Sequence, residues 1–182
     1  MKRKVAVGAV MVLLVTVAVV LADGGFKRIR EILSGFEEVP AISTTGNGEF
    51  RARIDKAETE IAYSLSYSDL QGTVTQAHIH LGQAGVNGGI SAFLCSNLGN
   101  GPAGTQPCPS PPATITGTIT AADVIGPTGQ GISAGELDEL IVAIRAGKTY
   151  VNVHSSIWPN GEIRSQIDHA DDHDHENADK DK

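Results

Sequence analysis

The chain has 182 residues, with 14 lysines and arginines against 21 aspartates and glutamates, so its formal net charge at pH 7 is -7. Hydrophobic residues make up 41% of the sequence, which is enough for one folded domain of ordinary size. The acidic balance argues against nucleic acid and against anionic membrane surfaces as partners, because both repel a negatively charged protein.

The first 22 residues have the pattern of a signal peptide. Lys2, Arg3 and Lys4 form a basic start, residues 5–21 carry no charge, and Val20-Leu21-Ala22 offers a small-residue cleavage site. Cleavage removes three of the 14 basic residues and leaves 11 - 21 = -10. The alternative is an uncleaved membrane anchor, although the 17 apolar residues are slightly short for a spanning helix. Either way, we expect the rest of the chain to be secreted, periplasmic or at the cell surface, with a membrane contact only through an uncleaved segment.

Most of the remaining chain alternates between apolar and polar residues with a period of two, which predicts β-strands. Residues 23–31 are polar and are interpreted as a linker, and the folded domain is expected over 32–168. The alternation is clearest over 49–55 and 61–68. Further strands are predicted over 75–81, 89–96, 113–120, 149–155 and 162–167.

One segment departs from this pattern and predicts a helix over about 134–146. Ser133 and Glu136 have capping-box spacing, and Gly147 is a plausible C-terminal stop. The apolar residues between them follow helical spacing: Leu137, Leu140, Ile141 and Ile144. A shorter helical turn is predicted at 120–123. Seven or eight short strands with one helix indicate an antiparallel β-sandwich or barrel.

The two cysteines, Cys95 and Cys108, fit one disulfide bond in an exported protein. The alternative is a pair of free thiols.

Three histidines are the candidate functional residues of the folded domain. In a strand, His78 and His80 point to the same face, about 6.6 Å apart, and opposite to Ala77 and Ile79. A third imidazole, from His154 in another predicted strand, would complete a three-nitrogen site for copper or zinc. The alternative is structural, with each histidine hydrogen-bonded to neighbouring strands or loops.

Polar residues on the same predicted faces are candidates for orienting the imidazoles. Asn152, Glu162 and Gln166 lie on the polar faces of the last two strands. A carboxylate or an amide at these positions could fix the tautomer of a ligating histidine.

The segment after Asp168 is strongly acidic. Residues 168–182 hold seven acids and two lysines, so their net charge is -5. Residues 169–182 are predicted to be a disordered, solubilising tail, because they contain no apolar residue larger than alanine. The alternative is weak, unselective metal binding through His169, His173 and His175.

Several stretches of the sequence resemble the CHRD domain, a module named after repeats in chordin. In chain order they are Leu33–Pro40, Ala77–Gly82, Tyr150–His154 and Gly161–Ile167, and they cover about 30–168. The resemblance implies an extracellular all-β domain. It implies little about activity.

A looser similarity links the chain to copper-zinc superoxide dismutases, which are also β-sandwiches. His78 and His80 match their His-x-His pair, His154 matches a late copper-binding histidine, and Arg164 is placed like the arginine that guides superoxide. A bridging histidine and a zinc-binding cluster are missing between His80 and His154. The similarity therefore implies a copper site without zinc. For Glu162 and Arg164, cross-strand ion pairs are the alternative.

These observations predict an all-β fold, an antiparallel Greek-key β-sandwich or barrel of superoxide dismutase-like or immunoglobulin-like type with one short helix. The predicted function is that of an exported CHRD-domain binding module, with a metal ion on the three-histidine face or an extracellular protein as its partner. The alternative is a copper-dependent, superoxide dismutase-like redox enzyme.

Overall fold

The computed structural model describes residues 28–168, which form eight β-strands and one α-helix. The predicted signal peptide and the acidic tail over 169–182 lie outside the described residues. The strands, in chain order, are β1 Arg28–Ser34, β2 Asn47–Ile54, β3 Ile61–Ser68, β4 Val74–Leu81, β5 Gly89–Ser96, β6 Ala113–Ile119, β7 Thr149–Ser155 and β8 Ile163–Ile167. The helix α1 is Leu137–Arg145 and lies between β6 and β7.

All eight strands belong to one antiparallel sheet with the order β5-β4-β7-β8-β1-β2-β3-β6. The sheet curls into a nearly closed barrel, and its edge strands β5 and β6 face each other across the gap. The Gln106 amide links them, donating hydrogen bonds to the carbonyls of Leu94 and Thr116, both at 3.1 Å. The Tyr63 hydroxyl also donates to the Leu94 carbonyl, at 2.9 Å. The prediction of an antiparallel β-sandwich or barrel is confirmed in its barrel form.

The core is built from the inward positions of the strands. Along β3, Ile61, Tyr63, Leu65 and Tyr67 are buried while the residues between them are partly exposed. The apolar residues of α1 join the same core: Leu137, Leu140, Ile141 and Ile144. Because the inward positions supply the hydrophobic stabilisation, the outward positions are free to carry other chemistry.

Two element boundaries differ from the sequence prediction. The strand β1 begins at Arg28, because Arg28 to Glu31 pair with β2 where a linker was predicted. The helix begins at Leu137 and not at Ala134. The Glu136 carboxylate does accept the Ser133 N–H at 2.6 Å, but Gly135 has a φ of 91°, a left-handed conformation that cannot be part of a right-handed helix. Gly147, with a φ of 65°, ends the helix as predicted.

Within residues 28–168, no helix is long and apolar enough to cross a membrane.

Candidate metal centre

The three histidines lie together on the outward face of β4 and β7. His78 pairs with Asn152 and His80 with Tyr150 across the two strands, and Gln76 pairs with His154. The residues between them point into the barrel and are fully buried: Ala77, Ile79, Val151 and Val153. The alternation predicted from the sequence therefore places the imidazoles on the side of the sheet away from the core.

The loops that directly follow β4 and β7 in the chain cover this face. His78 is 0% exposed, and His80 and His154 are each 6% exposed. The loop between β4 and β5 reaches His80 through the Gly88 carbonyl, and the loop between β7 and β8 reaches His154 through the Pro159 carbonyl. The result is a polar cluster that is buried although it lies outside the hydrophobic core.

The hydrogen bonds determine which nitrogens carry protons. A carbonyl oxygen can only accept, so His80 Nδ1 donates to Gly88 at 3.0 Å and His154 Nδ1 donates to Pro159 at 2.9 Å. Both residues are left with a lone pair on Nε2. The Nε2 of His154 accepts a hydrogen bond from His78 Nδ1 at 3.1 Å. The Nε2 atoms of His78 and His80 are buried and have no hydrogen-bond partner among residues 28–168.

The ring nitrogens converge closely enough to define a metal site. One ligand atom from each of His78, His80 and His154 lies within 4.8 Å of the other two. Two nitrogens bound to one metal at the usual bond length and a tetrahedral angle are about 3.3 Å apart. The 3.1 Å between His78 Nδ1 and His154 Nε2 is close to this value. A metal that replaces the proton between them would bind both, with His80 as the third ligand.

Burial keeps these imidazoles neutral. It lowers the pKa of His78 to about 2 and that of His80 to about 4, and it also lowers the pKa of His154. Mutual repulsion of the three rings adds to the effect for His78 and His80. Neutral imidazole is the form that binds metal ions.

Arg164 supports the centre from β8. Its guanidinium lies 3.4 Å from the centre of the Tyr150 ring, and the same ring stacks on His80 with 4.7 Å between the ring centres. It donates to the Val86 carbonyl at 2.9 Å and to Asn87 Oδ1 at 3.1 Å. At 1% exposure, Arg164 is a buried clamp on the loop that carries Gly88. In the described part of the chain neither Arg164 nor Glu162 forms an ion pair, so the cross-strand pairs predicted for them are not present.

Of the residues predicted to orient the imidazoles, Asn152 lies at the centre. It is 2% exposed, and its amide is close enough to Glu38 and His80 to shift the pKa of each. Burial raises the pKa of Glu38 to about 7, against the opposing effect of Arg164. The periodicity of the sequence does not reveal Glu38. This residue belongs to the stretch Leu33–Pro40 that resembles the CHRD domain, but it lies in an irregular loop.

Glu162 and Gln166 hydrogen-bond elsewhere, contrary to expectation. Glu162 accepts from Thr44 Oγ1 at 2.7 Å and from the Gln71 N–H at 2.6 Å. Gln166 donates to the carbonyls of Gly82 and Gly147, both at 3.0 Å. Both side chains face the predicted polar side, but nearby loops, and not the imidazoles, supply their partners.

The remaining predicted site residues are the two cysteines and the histidines of the acidic tail. Cys95 and Cys108 form a disulfide bond, as predicted, between β5 and the loop that follows it. His169, His173 and His175 lie outside the described residues.

The fold and the site together define a class of protein: an antiparallel β-barrel with a buried cluster of three histidines on its outer face. The chain belongs to the CHRD domain family, whose model matches residues 29–167. The predicted resemblance to this family is thereby confirmed. No curated protein and no solved structure matches the chain. The similarity to superoxide dismutases stays a prediction.

Proposed function

We propose that this CHRD domain is an exported binding module that holds a transition-metal ion between His78, His80 and His154. The observation that carries the proposal is the set of lone pairs that the hydrogen bonds leave on the buried ring nitrogens. Burying a polar atom without a partner is unfavourable, and His80 Nε2 is in that position beside the His78 Nδ1 and His154 Nε2 pair. A bound metal ion would accept the lone pair of His80 Nε2, to which no described residue donates a hydrogen bond.

Copper is the metal that we propose, with zinc as its competitor. The three ligands are neutral imidazoles, which suit both metals, and the binding order of divalent ions favours copper over zinc. No carboxylate is among the converging ligand atoms of residues 28–168. Since the cost of burying an ion rises steeply with its charge, a site of neutral ligands also favours the singly charged state of copper.

Export is part of the proposal. The disulfide between Cys95 and Cys108 fits a protein that folds outside the cytoplasm, and CHRD domains are typically extracellular. The predicted signal peptide supports the same location. The metal would then stabilise a recognition module, and the protein partner would bind elsewhere on the surface.

A copper-dependent redox enzyme is the alternative function. The histidine cluster favours it, because copper on three imidazoles with an open position can change its oxidation state. The surroundings favour a binding module over an enzyme. All three histidines are buried. Arg164 is also buried and donates to a loop carbonyl, so it is not exposed to guide an anion.

The test is metal retention by the full chain. The protein is exposed to copper and zinc, dialysed, and its metal content is measured by mass spectrometry, beside a His80→Ala variant. The matched control replaces His169, His173 and His175 by alanine, which removes the tail histidines and leaves the barrel unchanged. We expect one copper per chain in the wild type and the control, and none in His80→Ala, with circular dichroism confirming that each variant is folded.

Loss of copper from the tail control, or equal retention by folded His80→Ala, would place the metal elsewhere and refute the centre. A copper-loaded protein that also dismutates superoxide would favour the redox alternative over a binding module.

A further inference from the structure

A second site lies on the outward face of β1 and β2, on strands that carry none of the three histidines. Arg28 pairs directly with Arg53 across the two strands, and Arg30 pairs directly with Arg51. All four side chains are exposed. Like charges directly opposite each other destabilise a sheet, and a bound anion that lies between them would relieve this repulsion.

The charge of this face opposes that of the whole protein. Counting the outward positions of β1, β2, β3 and β6, the four arginines and Glu49 give 4 - 1 = +3, although the chain carries -7. Glu49 is shared, with ion pairs to both Arg30 and Arg51. At physiological ionic strength the screening length is about 8 Å. The local arginines, and not the net charge of the chain, therefore dominate the electrostatic potential near this face.

The neighbouring strands β3 and β6 line the face beside the arginines with hydroxyl groups. Alongside Arg51 in the register lie Ser64 of β3 and Thr116 of β6, and the outward positions near them are also small. An open groove of about 640 Å³ is lined by the four arginines together with Ala62 and Ser64. A second groove, of about 510 Å³, continues from Arg30 toward Ser66 and Thr114.

We propose that this arginine face binds an acidic polysaccharide, an extended chain of sugars that carry carboxylate groups. The planar guanidinium matches a carboxylate with two parallel hydrogen bonds, and rows of serine and threonine hydroxyls can bond to sugar hydroxyls. Single-stranded nucleic acid fits less well, because it is held by aromatic stacking and the outward positions of these four strands carry no aromatic residue. The proposal is independent of the metal centre.

The test is the affinity of the full chain for polygalacturonate, measured by calorimetry at low and at physiological salt. The variant Arg28→Gln with Arg51→Gln removes both like-charge pairs and the ion pair of Arg51 with Glu49, and it keeps the ion pair of Arg30 with Glu49. The matched control, Arg145→Gln with Lys148→Gln, removes the same charge from the end of α1 and also breaks one surface ion pair, that of Arg145 with Glu58.

We expect binding by the wild type and the control, with at least a tenfold loss in the Arg28 and Arg51 variant. Because the arginine pairs repel, we also expect the melting temperature of that variant not to fall, a result that a purely structural role for the arginines does not predict. Equal affinities of the variant and the control, or binding to heparin or to anionic vesicles without binding to polygalacturonate, would overturn the proposal.

Discussion

Replacing Arg164 by methionine is expected to destabilise the barrel and to weaken the metal centre together. Methionine keeps much of the packing against Tyr150 but cannot donate to the Val86 carbonyl or to Asn87 Oδ1. A hydrogen bond from a charged donor contributes about 1.5–3 kcal/mol, and the contact with Tyr150 adds up to about 2 kcal/mol. Removing a buried charge recovers part of this, so we expect the free energy of unfolding to fall by about 3–4 kcal/mol.

The effect on the metal follows from the loop that Arg164 holds. Gly88, whose carbonyl fixes the His80 tautomer, directly follows the two residues that Arg164 contacts. Loss of such an indirect support of a metal ligand typically weakens binding by about 10–100-fold.

Urea unfolding and a copper titration against a competing chelator measure the two effects. Arg51→Met is the matched control, since its exposed side chain should change stability by less than about 0.5 kcal/mol. The reasoning fails if Arg164→Met loses stability but keeps the copper affinity of the wild type, because the loop would then have no influence on His80.

Three further predictions concern single contacts. Replacing Cys95 and Cys108 by serine should lower the free energy of unfolding by about 3 kcal/mol, because the bridge spans 13 residues; identical urea melts of the two proteins would contradict this. Gly88→Ala should lower the melting temperature and the copper affinity, since a Cβ there would overlap the Leu81 carbonyl; a variant that matches the wild type in both would show that the loop adapts freely. Glu31→Gln should raise stability at about pH 8 but not at about pH 4, measured by thermal melts. Burial raises the pKa of Glu31 from 4.5 to about 7, so its favourable contribution is complete below 4.5 and is lost as the pH rises through 7; a difference independent of pH would refute it.

The strands could be predicted because the barrel buries one face of each. In β3 every second residue is buried, and the sequence shows this directly as Ile61, Tyr63, Leu65 and Tyr67. The start of β1 could not be predicted in the same way. Its outward positions carry arginine, and its inward Glu31 interrupts the apolar alternation, so the segment has the composition of a linker.

The candidate centre was predictable in its ligands but not in its surroundings. Alternation placed His78, His80 and His154 on one side of the sheet, and the structure brings them together there. Alternation cannot reveal that this side is buried, because it describes strands and not the path of the irregular loops that fold over it. For the same reason it could not separate Asn152, which lies beside His80, from Gln166, which bonds to two loop carbonyls.

The two proposed sites should act independently, because they lie on different strands of a barrel whose stability comes from its inward positions. Sites that share no contacts usually contribute additively. We therefore expect the variant Arg28→Gln with Arg51→Gln to retain copper as the wild type does, and His80→Ala to bind polygalacturonate as the wild type does, with both properties measured on each protein. A polysaccharide affinity that changes when copper is removed would contradict this separation. It would mean that the metal alters the barrel beyond β4 and β7, and the centre would then be a regulator of the recognition face.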